Sequence, residues 1–380
     1  MLLHRLGHRV TLFERFAAPR PIGSGLMIQP TGLAVLRALG LDGRLLAAGA
    51  RIDRLRGETT NPRRIVLDVH YKALRGAAFG IGVHRATLFA ILHDAVSAAR
   101  LAIEGDRTVS GSSLLADGRR RLDLAGGRSE GPFDLIVDAL GTRSTLAPPA
   151  GRELAYGALW STLDWPDGAG FDGHALEQRY RRASVMAGVL PLGCGVEQGA
   201  CKAALFWSLR ADRLQAWRDA GLAAWKAEVA NLWPALTALL DQIDTPDQLT
   251  FARYAHRTLP AQAEPGLIHI GDAWHSASPQ LGQGANMALL DAYALMLGLD
   301  RHDDIASALA AAVAMRRSHI HLYQALTAFF TPVYQSDSRV TPFIRDRLVG
   351  PFSRLWPATW IQAALVSGTI GNPLRRLALD

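Results

Sequence analysis

The sequence predicts a mixed α/β fold, in which a Rossmann-like domain carries an inserted, sheet-rich domain and a helical C-terminal tail. Three segments lead to this prediction. Residues 267–291 have the pattern of a buried strand, a glycine-rich turn and an apolar helix. Residues 1–14 have the pattern of a helix, a turn and a short strand that ends in Glu14. From about residue 148 to 255, apolar runs with aromatic side chains indicate the strands of a second domain.

Length and composition are those of a large globular protein. The chain has 380 residues, of which 49% are hydrophobic and 20% charged, so two closely joined domains can bury ample core. No apolar run reaches the roughly 18 residues that a membrane span needs, and the first residues do not form a secretory signal. Cys194 and Cys201 flank a glycine-rich turn and imply no disulfide framework. We therefore expect a protein of the reducing cytoplasm.

The net charge of +7 raises the question of nucleic acid binding. The basic residues form short, scattered runs at 119–121, 179–182 and 316–317, with no aromatic stacking platform among them. Solvated faces explain these runs, so we expect no nucleic acid partner, although the positive charge would attract an anionic substrate or reductant. No His, Cys and carboxylate cluster has metal-ligand spacing, and His319 and His321 would face apart on a helix. We expect no metal.

The segment 267–291 carries the strongest functional signal. Its strand ends at Asp272, which places an acceptor-rich carboxylate at the sheet edge where open α/β sheets bind their ligands. The loop that follows contains Pro279, Gly282 and Gly284 and lets a flat ring lie against bare backbone. Asn286 then opens an apolar helix, whose N-terminus stabilises negative charge on a bound group. Together these features favour a flavin ligand.

In its ordered motif the segment resembles the second flavin-binding motif of the single-component, FAD-dependent aromatic hydroxylases. That group of flavin monooxygenases includes para-hydroxybenzoate hydroxylase and salicylate hydroxylase. The resemblance implies that Asp272 binds the ribityl chain of FAD. It also implies that the isoalloxazine is lined by Pro279, Gly282, Gln283, Gly284 and Asn286.

The first residues resemble the second half of a dinucleotide-binding βαβ unit. Glu14, at the end of the predicted strand Val10–Phe13, stands where such units place the acid that bonds ribose hydroxyls. The G-x-G-x-x-G turn of these units lies about 20 residues before that acid, which would be upstream of Met1. We therefore expect the chain to be N-terminally truncated, with the first strand and its glycine turn missing.

Two further segments bear on the family resemblance. Residues 83–88 resemble its H-R-x-x-L element, which implies that Arg85 contacts the FAD phosphates; a charge at a helix start is the alternative interpretation. Residues 134–144 depart from the family, because Leu140 stands where the hydroxylases have an aspartate that helps to hold FAD and to use the nicotinamide cofactor. Asp138 is a speculative substitute. His275 is a weak candidate for a catalytic proton relay, and a structural histidine is at least as well supported.

The implied function is that of an FAD-dependent monooxygenase. NAD(P)H would reduce FAD, and O2, captured as a flavin hydroperoxide, would supply one oxygen atom to an aromatic or a polyketide- or quinone-like substrate. Two alternatives remain open: Leu140 favours an FAD-dependent reductase or dehydrogenase of the same fold, and the missing glycine turn favours an inactive homologue. Four residues are candidates for lining a hydrophobic substrate pocket: Trp160, Met186, Trp207 and Tyr254.

The predicted domains are interleaved along the chain. The FAD-binding domain comprises residues 1–50, 81–147 and 255–330, and the substrate domain comprises 51–80 and 148–254. Residues 331–380 form the helical tail. The tail could dock as an interfacial helix on an anionic membrane through Trp356, Trp360, Ile361, Leu365 and Val366, with Arg354, Arg375 and Arg376. Packing against the flavin domain is the favoured interpretation.

Overall fold

The computed structural model describes residues 1–20, 23–349 and 355–380. The strands are β1 (Thr11–Phe13), β2 (Gly25–Ile28), β3 (Ala50–Ile52), β4 (Arg54–Thr60), β5 (Arg63–His70), β6 (Gly80–His84), β7 (Ala102–Glu104), β8 (Val109–Leu114), β9 (Arg120–Leu124), β10 (Ser129–Phe133), β11 (Ile136–Asp138), β12 (Arg152–Asp164), β13 (Ala175–Arg181), β14 (Val185–Gly193), β15 (Lys202–Arg210), β16 (Thr250–Thr258), β17 (Ala263–Glu264), β18 (Leu267–His269) and β19 (His275–Ser276). The α-helices of these residues are α1 (Leu2–Arg5), α2 (Pro30–Ala38), α3 (Asp42–Ala48), α4 (Arg85–Ala98), α5 (Leu214–Leu232), α6 (Thr237–Leu240), α7 (Gly284–Arg301), α8 (Ile305–Tyr334), α9 (Val340–Ile344), α10 (Ala358–Ser367) and α11 (Pro373–Arg376).

The largest sheet has eight strands in the order β19-β16-β12-β15-β14-β13-β4-β5. Neighbouring strands are antiparallel except β13 and β4, which run parallel. The two segments that the sequence assigns to the substrate domain therefore contribute strands to one sheet. The sheet also takes in β16 and β19, which extend it beyond the predicted boundary at residue 254. The mixed α/β fold with an inserted sheet and a helical C-terminal region is confirmed.

One face of the large sheet is covered by α5 and the turns that follow it. Alternate residues of β12 and β15, among them Leu159, Leu205 and Trp207, pack there against Trp225 and Trp233. This cluster is the largest apolar core in the part of the chain that the structure describes. The prediction that Trp207 lines a substrate pocket is wrong, because the alternation of strand side chains turns it toward α5.

The opposite face of the sheet looks toward the rest of the fold. Leu190, Leu192 and Ala204 contribute to an apolar cluster with Met27 and Tyr71. Trp160 packs against the same cluster, and its indole Nε1 donates to the hydroxyl of Tyr254 at 3.1 Å. Met186 lies on this face too, in a neighbouring cluster with Phe206. Three of the four pocket candidates therefore lie on the face of the sheet that looks toward the rest of the fold.

Two pairs of parallel strands form the Rossmann-like part of the fold. β1 pairs with β7, and β11 pairs with β18, but among the described residues the two pairs belong to separate sheets. The predicted strand at Val10–Phe13 is confirmed within one residue, and Glu14 follows it directly. The proposal that a first strand precedes Met1 stays a prediction.

The C-terminal tail is anchored by the second half of α10. Residues 363–367 are buried there, and Leu365 and Val366 pack into apolar clusters as the favoured interpretation expects. Trp356, Trp360 and Ile361, in contrast, are 84%, 48% and 47% exposed. The expectation of core packing is wrong for these three side chains, because they precede the turns of α10 that reach the core. Arg354 lies outside the described residues. Within the described ranges, every helix is too short or too polar to cross a bilayer.

The two cysteines are closer than the sequence suggests. Cys194 and Cys201 form a disulfide at the tip of the β14–β15 hairpin. The hairpin pairs Gly193 with Lys202. Cys194 follows Gly193 and Cys201 precedes Lys202, so the two cysteines lie opposite each other. The sequence implied no disulfide, and the structure corrects this. A cytoplasmic location stays a prediction.

The core beneath α5 predicts a large difference between two leucine truncations. Leu205→Ala removes a side chain that is 1% exposed and should lower the free energy of unfolding by about 2–5 kcal/mol. Leu114→Ala makes the same chemical change at a side chain that is 50% exposed and should cost less than about 1 kcal/mol. Urea unfolding of both variants measures the difference, and equal losses would contradict the assignment of this core.

Candidate functional site

The site is built around the connection from β18 to α7. Leu267 and Ile268 are buried, and the strand pairs in parallel with β11. The chain then turns at Gly271, whose φ of +56° and closeness to Ala288 both favour glycine, since a Cβ there would lie 3.0 Å from the Ala288 Cβ. The turn delivers Asp272 to the end of the strand, as the sequence predicts.

Four of the predicted cofactor residues are exposed: Arg85, Asp272, Pro279 and Gly284. Asp272 faces the start of α7, where a Cβ on Gly284 would lie 3.9 Å from its Oδ1. Arg85 crosses the backbone of Gly23, where a Cβ would lie 2.9 Å from its Nε. Exposed side chains and bare backbone thus occur together, which leaves these groups available to a ligand.

The electrostatic environment connects Asp272 to Arg85. Desolvation by the surrounding protein raises the pKa of the Asp272 carboxyl above its ordinary value, while the charges of His275 and Arg85 lower it. The outer side of Asp272 nevertheless remains open to solvent. An ionised carboxylate in this place is a strong acceptor for hydroxyl groups. It can therefore hold the sugar-like part of a cofactor.

The start of α7 offers unpaired backbone donors. Gln283 occupies the N-cap position but makes no side-chain bond to the helix. The first backbone N–H groups of any helix lack intrahelical partners, and its N-terminus carries partial positive charge. The predicted helix start at Asn286 is two residues late, since the helix begins at Gly284. The earlier start directs the helix end toward Asp272.

Asn286 fastens the loop before α7 to the β2–α2 connection. Its Nδ2 donates to the carbonyl oxygens of Gly282 and Met27, and its Oδ1 accepts from the backbone N–H of Gln29 at 2.8 Å. The side chain is fully buried, and a Cβ on Gly32 would collide with it. Both the oxygen and the nitrogen of the amide are therefore bonded to the protein backbone. Asn286 therefore shapes the predicted ring site instead of contacting a ring through its side chain.

A buried ion network supports the same loop from below. The Oδ2 of Asp291 accepts from the backbone N–H of Gly271 at 2.9 Å and pairs with the Nε2 of His275 at 2.6 Å. Its Oδ1 accepts from the Nε of Arg316 at 2.8 Å. Burial opposes ionisation, but His275 and Arg316 hold the pKa of Asp291 below its ordinary value. His275 is thus part of a structural network, which favours the structural interpretation over a catalytic one.

The network continues to the C-terminal tail through His319. The Nη1 of Arg316 lies 3.0 Å from the Nδ1 of His319, and the Nε2 of His319 lies 3.0 Å from the carbonyl oxygen of Gly368. Burial and the charge of Arg316 lower the pKa of His319 to about 3. The imidazole is therefore neutral, accepts from Arg316 at Nδ1 and donates to Gly368 from Nε2. The expectation of a solvated face for the basic run 316–317 is wrong for Arg316, whose side chain is 1% exposed. The hydrogen bonds of His319 were not predicted.

Asp138 is bonded within the protein and is not free to replace the aspartate that the hydroxylases have at the position of Leu140. Its carboxylate accepts from Ser144 Oγ at 2.6 Å and from the backbone N–H of Leu140 at 3.0 Å, and it pairs with His269 Nδ1 at 2.7 Å. Burial opposes ionisation, but the bonds from His269 and Ser144 lower the pKa of Asp138. Through these bonds the carboxylate stabilises the loop after β11. The Leu140 side chain is 44% exposed and supplies no polar group.

Glu14 lies apart from this group of residues. Its Oε1 accepts from the backbone N–H of Phe16 at 3.0 Å, at the carboxyl end of β1. The part of the chain that the structure describes contains no cluster of three or more His, Cys, Asp or Glu side chains that could hold a metal ion. His321 is exposed while His319 is buried, so the two histidines face apart as predicted.

Comparison with known proteins finds similarity to FAD-binding proteins over the segment that contains these residues. A family model described as an FAD binding domain matches residues 204–303, which include Asp272 and the start of α7. Aurachin C monooxygenase/isomerase of Stigmatella aurantiaca is 26% identical over 363 residues, which are 91% of this chain and 89% of that protein.

Solved structures establish the fold. A tetrameric form of 2-methyl-3-hydroxypyridine-5-carboxylic acid oxygenase aligns with a TM-score of 0.77 at 20% identity, over 98% of this chain and 93% of that one. Klebsiella pneumoniae HpxO, complexed with FAD and uric acid, aligns with a TM-score of 0.78 at 17% identity, over 94% of this chain and 91% of that one. The fold is that of the class A flavin monooxygenases. The chain is an FAD-dependent monooxygenase of this fold. NAD(P)H is the reductant typical of such monooxygenases.

Asp272→Ala should weaken FAD binding. Loss of charge-assisted bonds to sugar hydroxyls costs about 1.5–3 kcal/mol, which corresponds to a ten- to hundred-fold rise in the dissociation constant. Titration of apoprotein with FAD measures it. Asp300→Ala, at the exposed end of the same helix, is the matched control and should bind FAD as the wild type does. An unchanged dissociation constant for Asp272→Ala would remove this residue from the site.

The substitution Asp291→Asn should lower the free energy of unfolding at neutral pH. It should also remove part of the pH dependence of that free energy. The variant leaves Arg316 buried without its counter-charge, a change that costs about 3–5 kcal/mol. Because the folded pKa of Asp291 is lowered, its contribution is complete above the unfolded value of about 3.9 and is lost as the pH falls through the lower folded value.

Denaturant unfolding at several pH values tests this expectation. The gap between wild type and Asp291→Asn should be largest near pH 7 and should narrow below about pH 4. Asp300→Asn serves as the control with little change at any pH. A gap that stays constant down to strongly acidic pH would show that the Asp291 charge does not stabilise the fold.

Proposed function

We propose that this monooxygenase inserts one oxygen atom into a planar aromatic substrate, held between the loop before α7 and the apolar face of the large sheet. The observation that carries the proposal is the side-by-side position of exposed polar groups and an apolar wall. Arg85, Asp272 and Gly284 form the polar part. The half-buried Trp160 forms the wall and packs against the buried cluster of Met27, Leu192 and Ala204.

The residues of the polar part suit the separate parts of FAD. Asp272 would accept hydrogen bonds from the sugar-like chain, and Arg85 would neutralise phosphate charge. The N-terminus of α7 would stabilise negative charge on the ring. Once bound, FAD supplies the oxygen-activating chemistry that side chains lack. The protein then has to position the substrate and keep water away from the reacting atoms.

The apolar wall favours an aromatic substrate. Trp160 stacks near Phe206, with ring centroids 4.8 Å apart, and Tyr254 accepts the indole hydrogen of Trp160. Such a surface contacts flat rings well and excludes water. Of the aligned proteins, one is named for a hydroxypyridine carboxylic acid and another was solved with uric acid. Nitrogen-containing aromatic rings are therefore the first compounds to screen.

NAD(P)H oxidation by the FAD-loaded protein tests the proposed activity. Pyridine carboxylic acids, purines and phenols are added one at a time under air enriched in heavy oxygen. At least one compound should accelerate NAD(P)H oxidation, and its product should carry one heavy oxygen atom. Hydrogen peroxide without any labelled product from the whole panel would contradict the proposal. Equal NAD(P)H consumption without oxygen, with a reduced product, would favour the reductase alternative that Leu140 suggests.

A further inference from the structure

Gln29 places an unpaired hydrogen-bond donor inside the site. The residue precedes α2, and its side chain is completely buried. Its Oε1 accepts a hydrogen bond from the hydroxyl of Tyr71, which is also completely buried. Its Nε2 has no hydrogen-bond partner among the described residues. One half of the amide is thus held by the protein, and the other half is left unpaired.

The free Nε2 faces the loop that the family resemblance assigns to the flavin ring. A Cβ placed on Gly282 would lie 3.8 Å from this nitrogen and 3.9 Å from the Cε of Met27. The amide therefore lies where the glycine-containing loop meets the apolar wall. Gly282 has a φ of +62° and no side chain, so no Cβ at this position crowds the amide.

A buried, unpaired amide N–H destabilises the protein unless a ligand supplies a hydrogen-bond partner. Burial raises the pKa of Tyr71, so its hydroxyl stays protonated and donates to the Gln29 oxygen. This bond fixes the amide with its N–H groups directed away from Tyr71. A second buried atom without a partner, the Oε1 of Gln283, lies at the start of α7, where Gln283 donates to the carbonyl oxygen of Val366 at 2.6 Å. A free donor and a free acceptor therefore line the same loop.

We propose that Gln29, oriented by Tyr71, donates a hydrogen bond to a carbonyl-type oxygen of a planar ring bound against the loop from Pro279 to Gly284. The proposal rests on the proposed function, since it assumes that this loop receives the ring system. Two rings could supply the oxygen: the flavin itself and the aromatic substrate. Gln29 is the residue that contacts the ring, and Tyr71 is a positioning residue that acts through it.

Gln29→Met removes the amide at similar side-chain volume, and Tyr71→Phe removes only the hydroxyl that orients it. Each apoprotein is titrated with FAD, and the visible spectrum of the bound flavin is recorded. Each FAD-loaded variant is then titrated with uric acid and with 2-methyl-3-hydroxypyridine-5-carboxylic acid as probes. Loss of one hydrogen bond should weaken binding of the affected ligand about five- to thirty-fold in Gln29→Met and less in Tyr71→Phe.

A matched pair elsewhere controls for the loss of a buried tyrosine–glutamine bond. The hydroxyl of Tyr180 donates to the Oε1 of Gln178 at 2.8 Å, on a strand of the large sheet. Tyr180→Phe and Gln178→Met should lower stability as the test variants do, but should leave the FAD and probe affinities unchanged. If Gln29→Met does not fold, Tyr71→Phe, which keeps the ring, is measured against Tyr180→Phe.

The outcomes separate the two sources of the oxygen. Weaker FAD binding with a shifted flavin spectrum assigns the acceptor to the flavin, and unchanged FAD binding with weaker probe binding assigns it to the substrate. Unchanged FAD affinity in both test variants, with probe binding that is unchanged or not detected, overturns the proposal. A wild-type protein that does not bind FAD would instead contradict the proposed function.

Discussion

The site depends on the hydrogen bonds of one buried amide, that of Asn286. It joins the loop before α7 to the carbonyl of Met27 and to the backbone N–H of Gln29, so two segments more than 250 residues apart in sequence become one surface. Because these partners are buried, each unmade bond would leave a polar group without water. The same bonds fix Gly282 and the start of α7, and therefore fix the loop that is proposed to hold the ring.

The ion network around Asp291 supports this arrangement from the other side of α7. Asp291 accepts from the backbone of Gly271 and so sets the turn that presents Asp272. Through Arg316 and His319 the network reaches the carbonyl of Gly368, after the last turn of α10. The tail is therefore tied to the connection from β18 to α7 by charge-assisted and hydrogen bonds as well as by apolar packing. Its exposed tryptophans lie before the anchored part and take no part in this support.

The sequence was sufficient for those features that local pattern determines. The strand before Gly271, the place of Asp272 at its end and the apolar helix that contains Asn286 follow from hydrophobic runs, glycine positions and the motif order. Contacts between distant segments could not be predicted, because nothing local marks which residue will meet which. Gln29 and Tyr71, which bond to each other, belong to no recognisable sequence motif. Asp138 bonds to His269, which lies on another strand. Asp291 was the one detectable signal, since a carboxylate within an apolar helix calls for a buried counter-charge.

A crystal structure of the protein grown with FAD is the most direct measurement of this account. It should show the isoalloxazine against the loop from Pro279 to Gly284, with the Asp272 carboxylate within hydrogen-bond distance of a sugar-chain hydroxyl and Asn286 still bonded to Met27 and Gly282. FAD bound elsewhere, or bound here only after Asn286 has released the β2–α2 connection, would contradict it.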